Sequence, residues 1–181
     1  MEALSAEFAH TSHLPFPVIA ARMLFAGILG AAIGFEREWR NRPAGLRTHV
    51  LICIAAATFG ILAIEIVHAS VFQAPSVSEQ VNIDPLRVIE AVTAGVAFLA
   101  AGTIILARGE VHGLTTGAGM WLAGAVGLAC GVGYWKVAFL GTILAVGVLG
   151  VLYSIERKLG LNSDSRVVVD ADHTSADTKP S

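Results

Sequence analysis

The sequence has few charged residues and only two cysteines. Asp, Glu, Lys and Arg make up 14% of its 181 residues, whereas soluble domains usually carry about 25%. Hydrophobic residues make up 55% of the chain, and the mean hydropathy is +0.69. The formal net charge of −2 excludes the strong basic field that nucleic-acid-binding proteins present. This composition is typical of an integral membrane protein whose main partner is the lipid bilayer.

The motifs of soluble enzymes and disulfide-rich secreted proteins are missing. Cys53 and Cys130 both lie in apolar stretches, which predicts packing residues rather than a disulfide framework or a paired metal site. Residues 113–117 read Gly-Leu-Thr-Thr-Gly and lack the Lys of a P-loop. The six His are scattered, and no nucleophile elbow or zinc-binding His pair occurs. We therefore predict that the protein is not an enzyme and has no cofactor, whereas metal binding stays open.

Five apolar stretches approach or reach the length of about 20 residues that a membrane-spanning helix needs. They are residues 17–35, 48–67, 85–107, 115–132 and 135–155. Asp84 followed by Pro85 predicts an N-cap for the third helix, and Thr115 or Thr116 is predicted to cap the fourth. The fold class predicted is an all-α integral membrane protein, a bundle of about five transmembrane helices.

Basic residues in the short loops predict the orientation of this bundle. Four Arg follow the first helix and none lies between the second and third, while one Arg follows the third helix and two basic residues follow the fifth. These residues are Arg37, Arg40, Arg42, Arg47, Arg108, Arg157 and Lys158. The pattern predicts an N-terminus outside and a cytoplasmic C-terminus. We expect an extracytoplasmic segment at 1–16, the bundle at 17–158 and a short, mobile cytoplasmic tail at 159–181.

Four charged residues fall inside the predicted spans, near the outer membrane surface. They are Arg22, Glu65, Arg87 and Glu90. Ionisable groups at membrane depth are functional candidates by default, so they could form a substrate or proton site. Two Arg and two Glu at similar depth could equally neutralise one another as structural ion pairs. No uncompensated carboxylate lies at the middle of a span, which argues against a dedicated pore for divalent cations.

Small residues recur at a spacing of four along two of the helices. The pairs and triplet are Gly30 and Gly34, Gly113 and Gly117, and Ala123, Gly127 and Gly131. Such spacing lets helix backbones approach closely in a bilayer. Packing within the bundle, a homo-oligomer interface and a helix that must move are all compatible with it.

The segment 34–40 holds the densest run of charge, with Trp39 among Glu and Arg residues. One interpretation is an anchor that obeys the positive-inside rule, with Trp39 at headgroup level. The other is a surface that docks a partner protein or anionic lipid.

Two motifs in this order resemble the MgtC/SapB family of bacterial inner-membrane proteins. The first is Gly-Ala-Ala-Ile-Gly-Phe-Glu-Arg-Glu at 30–38, followed by Ala-Gly-Leu-Arg-Thr at 44–48. The second is Phe-Leu-Ala-Ala-Gly at 98–102, followed by Val-His-Gly-Leu-Thr-Thr at 111–116. The resemblance covers about 23–159. It implies a multi-pass protein with about five helices and a link to Mg²⁺ limitation.

The resemblance also implies which residues carry function. The motif positions are Glu36, Arg37, Glu38, Gly45, Arg47, Thr48, Gly113, Thr115 and Thr116. They predict a cytoplasm-facing patch through which a non-enzymatic regulator in Mg²⁺ homeostasis would act, with the F-type ATP synthase as the partner that the family suggests. The alternative is a transporter or channel for Mg²⁺ or another small solute, working through the charges inside the spans.

The sequence departs from the family pattern in two places. Ala97 and Ala100 stand where the family often has Gly, and their methyl groups resist very close helix approach. A short tail also stands where virulence-associated members carry a cytoplasmic domain after the fifth helix. We therefore expect no virulence role to follow from the resemblance.

Overall fold

The computed structural model describes residues 12–69, 84, 86–107 and 110–159. Five helices and one short hairpin make up this part: α1 (Phe16–Trp39), α2 (Leu46–His68), α3 (Leu86–Ala101), β1 (Ile105–Ala107), β2 (Glu110–His112), α4 (Leu114–Val132) and α5 (Trp135–Lys158). Five helices were predicted, and five are found in the described part. The expectations for residues 1–11, Pro85, Arg108 and the tail from 160 onward lie outside the described residues.

Three helices are long and apolar enough to cross a membrane, namely α1, α2 and α4. The described apolar part of α5, Trp135–Val151, is shorter, and α3 has 16 residues. At about 1.5 Å of rise per residue, α3 extends about 24 Å, less than the thickness of a bilayer core. By length and composition, the described part thus contains three candidate membrane spans, which pack with α3 and α5.

The core lies where α1, α2 and α4 pack together. Gly30 of α1 faces the α2 backbone so closely that a Cβ on it would lie 2.8 Å from the carbonyl oxygen of His49. On the other side of α2, a Cβ on Gly127 of α4 would lie 2.6 Å from the Cα of Cys53, and one on Gly131 would lie 2.8 Å from the Cα of Ala57. The small residues therefore hold backbones in contact within the bundle, as one of the three interpretations anticipated.

The third helix is shorter than predicted, because α3 ends at Ala101 and residues 105–107 form strand β1. Gly102 follows the helix, and the Thr103 hydroxyl donates a 2.7 Å hydrogen bond to the carbonyl oxygen of Ala100, which satisfies an acceptor of the last turn. The β-branched run that follows favours an extended strand. Strands β1 and β2 pair antiparallel, with Ile105 opposite His112 and Ala107 opposite Glu110. The all-α fold class is confirmed by the five helices, whereas the prediction that the third helix continues to residue 107 is wrong.

Of the two predicted helix caps, the one at α3 is present in the structure and the one at α4 is not. The N–H of Leu86 donates a 2.9 Å hydrogen bond to the Asp84 carboxylate, so Asp84 caps α3 as predicted. Neither Thr115 nor Thr116 caps α4, because the helix begins at Leu114 after Gly113, which has φ of +91°. The N-cap is thus Gly113, a glycine in a left-handed conformation, two residues before Thr115.

The connections after α1 and α4 use the same terminal hydrogen-bond pattern. After α4, the N–H of Tyr134 donates to Ala129 O and the N–H of Gly133 to Cys130 O. After α1, the N–H of Arg42 donates to Arg37 O in the same way. This pattern satisfies the last carbonyls of a helix and turns the chain sharply, which brings α2 back along α1 and α5 back along α4.

Candidate functional site

The two sequence motifs meet at one end of the bundle, where α1 ends and α2 and α4 begin. Arg37, at the end of α1, donates a 3.0 Å hydrogen bond from Nη2 to the hydroxyl oxygen of Thr116, in the first turn of α4. The two residues are 79 positions apart in the chain. We call this region the motif end of the bundle.

Arg37 is a buried cation that ties α1 to α4. Its side chain is 4% exposed, and burying a charge is costly unless hydrogen bonds and opposite charge offset the lost hydration. The Thr116 hydroxyl supplies one hydrogen bond, and the neighbouring Glu36 supplies negative charge. Glu36 itself forms an ion pair with Arg40, one turn further along α1. The first motif therefore holds the end of α1 against α4, in addition to being a charged segment.

Glu38 and Gly45 form a second contact that fixes the turn between α1 and α2. The carboxylate of Glu38 accepts a 3.0 Å hydrogen bond from the N–H of Leu46, the first residue of α2. A Cβ on Gly45 would overlap this carboxylate, so glycine leaves the space that Glu38 occupies. A negative charge at a helix N-terminus is favourable because the free N–H groups there carry partial positive charge.

The remaining motif residues differ in what they reach. Arg47 and Thr115 are exposed and Thr48 is half-buried, and none of the three side chains makes a hydrogen bond or ion pair within the described part of the chain. Gly113 has a structural role, since a Cβ on it would overlap the carbonyl group of Thr103. The motif end therefore combines a buried layer, Arg37 and Thr116, with an exposed layer that contains Arg47, Thr115 and Trp39.

Sequence reasoning did not single out His49, which was counted among scattered histidines. Its ring is fully buried between the three core helices. Nδ1 lies 2.9 Å from the carbonyl oxygen of Gly45, and a Cβ on Gly119 of α4 would lie 3.4 Å from Nε2. The sequence does contain an indication that His49 is buried. Gly45, His49 and Cys53 are spaced by four residues, so they share the face of α2 that meets the glycines of α1.

The four charges inside the predicted spans lie at the opposite end but take different partners. Arg22 donates a 2.8 Å hydrogen bond to the carbonyl oxygen of Gly131, near the end of α4. Glu65 accepts hydrogen bonds from the N–H groups of His13 and Leu14, at 2.7 and 2.8 Å, just before α1. These bonds tie helix ends together.

The other two charges of that set, Arg87 and Glu90, are exposed on α3. Their side chains have no hydrogen bond or ion pair to any residue the structure describes. The four charges are thus brought to one end of the molecule, with Arg22 and Glu65 bonded to backbone groups and Arg87 and Glu90 facing outward.

Comparison with known proteins gives the family of the chain. Residues 23–158 match the MgtC family. The chain belongs to the MgtC family. The matching region contains the hairpin, every residue of the motif end and the core helices apart from residues 16–22 of α1, so the motif-end contacts lie inside the family domain.

The chain is similar to several bacterial relatives of the MgtC family. It is 36% identical over 138 residues to "Putative magnesium transporter YhiD" of Escherichia coli (strain K12), covering 76% of this chain and 62% of that protein. It is 37% identical over 138 residues to "Protein MgtC" of Brucella abortus (strain 2308), covering 52% of that protein. The chain therefore spans between about half and three fifths of these relatives. No solved structure matches it.

The described part of this MgtC-family chain lacks a metal-binding cluster, and the groove along α4 is mostly apolar. No group of three or more His, Cys, Asp or Glu side chains that could hold a metal ion occurs among the described residues. A groove of 510 Å³ runs along α4 between α3 and α5, and its walls are mostly apolar, including Ile89, Val96, Trp121 and Val137. Such a groove suits hydrocarbon and not a hydrated ion.

Proposed function

We propose that this MgtC-family chain is a non-enzymatic regulator in Mg²⁺ homeostasis that docks another membrane protein through the exposed layer of the motif end. The link to Mg²⁺ is supported by the name of the Escherichia coli relative. The docking surface consists of Arg47, Thr115 and Trp39, which stand at the ends of α1, α2 and α4. On the predicted topology this end faces the cytoplasm of the inner membrane.

The observation that carries the proposal is the closed packing of the core. Gly30, Gly127 and Gly131 bring the helix backbones together so tightly that even a methyl group would collide with the neighbouring helix. Ion transport needs polar groups or water along a path across the membrane, whereas docking needs a rigid, exposed surface. A core in which helix backbones are in direct contact, with an exposed polar surface at one end, favours docking.

The test is Mg²⁺ entry into proteoliposomes that hold the purified protein and a trapped Mg²⁺ dye. We expect the same rate as in empty liposomes, with and without a membrane potential. Flux above that background, lost in Arg22→Leu or Glu90→Gln, would make the protein a transporter and overturn the regulator proposal.

A second test addresses the docking surface in living cells. Arg47→Ala removes an exposed charge that has no partner in the described structure, so we expect the protein to insert and fold normally but lose its effect on growth at low Mg²⁺. Capture of the F-type ATP synthase, the partner suggested by the resemblance, should weaken in the same variant. Lys136→Ala, which removes a basic residue at the other end of the bundle, is the matched control and should keep both activities.

Transport of Mg²⁺ is the second candidate function, and the name of the Escherichia coli relative favours it. In this case Arg22, Glu65 and Glu90 would lie along the path. Arg22→Leu should then abolish activity in a protein that still inserts, while Arg47→Ala should leave it unchanged. The two variants therefore separate the two functions.

A further inference from the structure

Helix α3 has an outward face unlike those of the other helices. The other helices expose many bulky apolar side chains, for example Leu24 and Ile28 on α1, and Leu140 and Ile143 on α5. Helix α3 also exposes bulky residues such as Leu86, Phe98 and Leu99. One stripe of its exposed surface, however, carries two charges followed by three alanines. These residues are Arg87, Glu90, Ala94, Ala97 and Ala101, all of them exposed.

The five residues form one continuous seam along the helix. They are spaced by three, four, three and four positions, which is the a/d repeat of a helix that packs against another helix. The seam lies opposite the stripe Val92, Val96 and Ala100, which is buried. Val96 and Ala100 lie against Gly124 and Gly117 of α4. One face of α3 is therefore occupied by α4, and the seam is left without a partner in the described structure.

The charges at the end of the seam indicate what covers it. Two copies of the chain in one membrane have the same orientation, so a two-fold axis along the membrane normal places α3 parallel to its copy and makes the contact reciprocal. Arg87 and Glu90 are three residues apart, which is about 4.5 Å along the helix axis. An Arg side chain can cover this distance, so Arg87 of each copy can reach the partner's Glu90.

We propose that the chain forms a parallel two-fold dimer through the seam of α3, with the alanines in close contact and two reciprocal Arg87–Glu90 pairs at one end. Alanine prevents the closest approach that glycine permits, but it lets the two helices pack more closely than bulky side chains would. Phe98, which is 80% exposed, flanks the seam and packs against the second copy. The dimer pairs two charges that have no partner in the described structure of the single chain.

Cysteine cross-linking in liposomes at low protein density tests the contact. The two native cysteines, Cys53 and Cys130, are buried, so wild-type protein should give no cross-linked dimer. Ala94→Cys and Ala97→Cys should give a disulfide-linked dimer under mild oxidation. Ile143→Cys, exposed on α5, is the control and should cross-link at least about tenfold more slowly, because the two α5 cysteines of a dimer formed through α3 are too far apart for a disulfide.

A charge swap tests the specific pairing. Arg87→Glu gathers four carboxylates at the end of the seam, and we expect the dimer dissociation constant, measured by energy transfer between labelled copies, to rise at least about tenfold. Glu90→Arg should do the same with four Arg. The double variant Arg87→Glu with Glu90→Arg restores the reciprocal pairs and should recover wild-type affinity.

Three results would overturn the dimer. Equal cross-linking of the α3 and α5 cysteines would mean random collision, and absence of cross-linking at both α3 positions would mean that lipid covers the seam. Failure of the double swap to recover affinity, in protein whose thermal melting matches wild type, would exclude the reciprocal pairs.

Discussion

At the scale of single residues, the motif end depends on polar side chains whose burial the sequence pattern did not predict. The positive-inside rule interprets Arg37 as a loop residue facing water, yet its guanidinium is buried and bonded to Thr116. The His49 ring is buried as well, and the neighbouring glycines of α1 and α4 leave the space that it occupies. The family motif indicated that Arg37 and Thr116 matter, but their contact depends on how α1 and α4 pack, which no local pattern encodes.

Thr116→Val should destabilise the protein, because it removes the acceptor of a buried, charged hydrogen bond while keeping the side-chain shape. We expect a loss of about 1.5–3 kcal/mol in the free energy of unfolding, measured by denaturation in detergent. Thr115→Val is the matched control at the neighbouring exposed position and should change the stability by less than about 0.5 kcal/mol. Equal effects of the two substitutions would contradict the Arg37–Thr116 bond.

Ala44→Gly should stabilise the turn between α1 and α2. Ala44 has φ of +56°, a left-handed conformation that costs a residue with a Cβ about 1–2 kcal/mol. Part of this gain is offset by the greater freedom of glycine in the unfolded chain, so we expect a net gain of about 0.5–1 kcal/mol in the same unfolding measurement. Ala55→Gly, at an exposed helical position of α2, should instead lose about 1 kcal/mol.

At the scale of the elements, apolar length predicted the helices well and predicted one boundary poorly. The stretches 48–67, 115–132 and 135–155 differ from α2, α4 and α5 by at most three residues at each end, because loops rich in charge or glycine limit them. The third stretch failed beyond Ala101, since Ile-Ile-Leu-Ala continues the hydrophobic run without a break in polarity. Hydropathy does not distinguish a strand from a helix in such a run.

The close contact of α2 with α4 predicts how glycine substitutions change the stability of the protein. Gly127→Ala forces a methyl group into the backbone of Cys53, and overpacking of this kind costs about 1–3 kcal/mol. Gly147→Ala on α5 is the control, because no atom lies within 4 Å of its added methyl group. That variant should be neutral or gain up to about 1 kcal/mol from helix propensity. Thermal melting of the two purified variants, compared with wild type, provides the measurement.

At the scale of the whole molecule, the bundle has two chemically different ends. One end holds Arg37, His49 and Thr116, and the other holds the Arg22–Gly131 and Glu65–His13 bonds. The basic residues of the sequence predict that the first end faces the cytoplasm, and this orientation stays a prediction. It depends on the charge of the loops during insertion, which the packing of the finished bundle does not record.

Labelling with a membrane-impermeant maleimide tests the orientation. Trp39→Cys, exposed at the motif end, should react in inverted membrane vesicles and not in intact cells. Leu86→Cys, exposed at the start of α3, should show the opposite pattern. The buried native cysteines keep the background low. A reversed result for both variants would invert the topology and place the docking surface outside the cell.

The backbone contact between α2 and α4 has a mechanical consequence. Side chains that separate two helices can change rotamer, so they allow a small movement of one helix relative to the other. Here the backbones of Cys53 and Ala57 lie directly against Gly127 and Gly131, so α2 and α4 should move together as one rigid unit. A partner that pushes on the exposed Thr115 at one end would then displace Gly131, and with it Arg22, at the opposite end of the bundle.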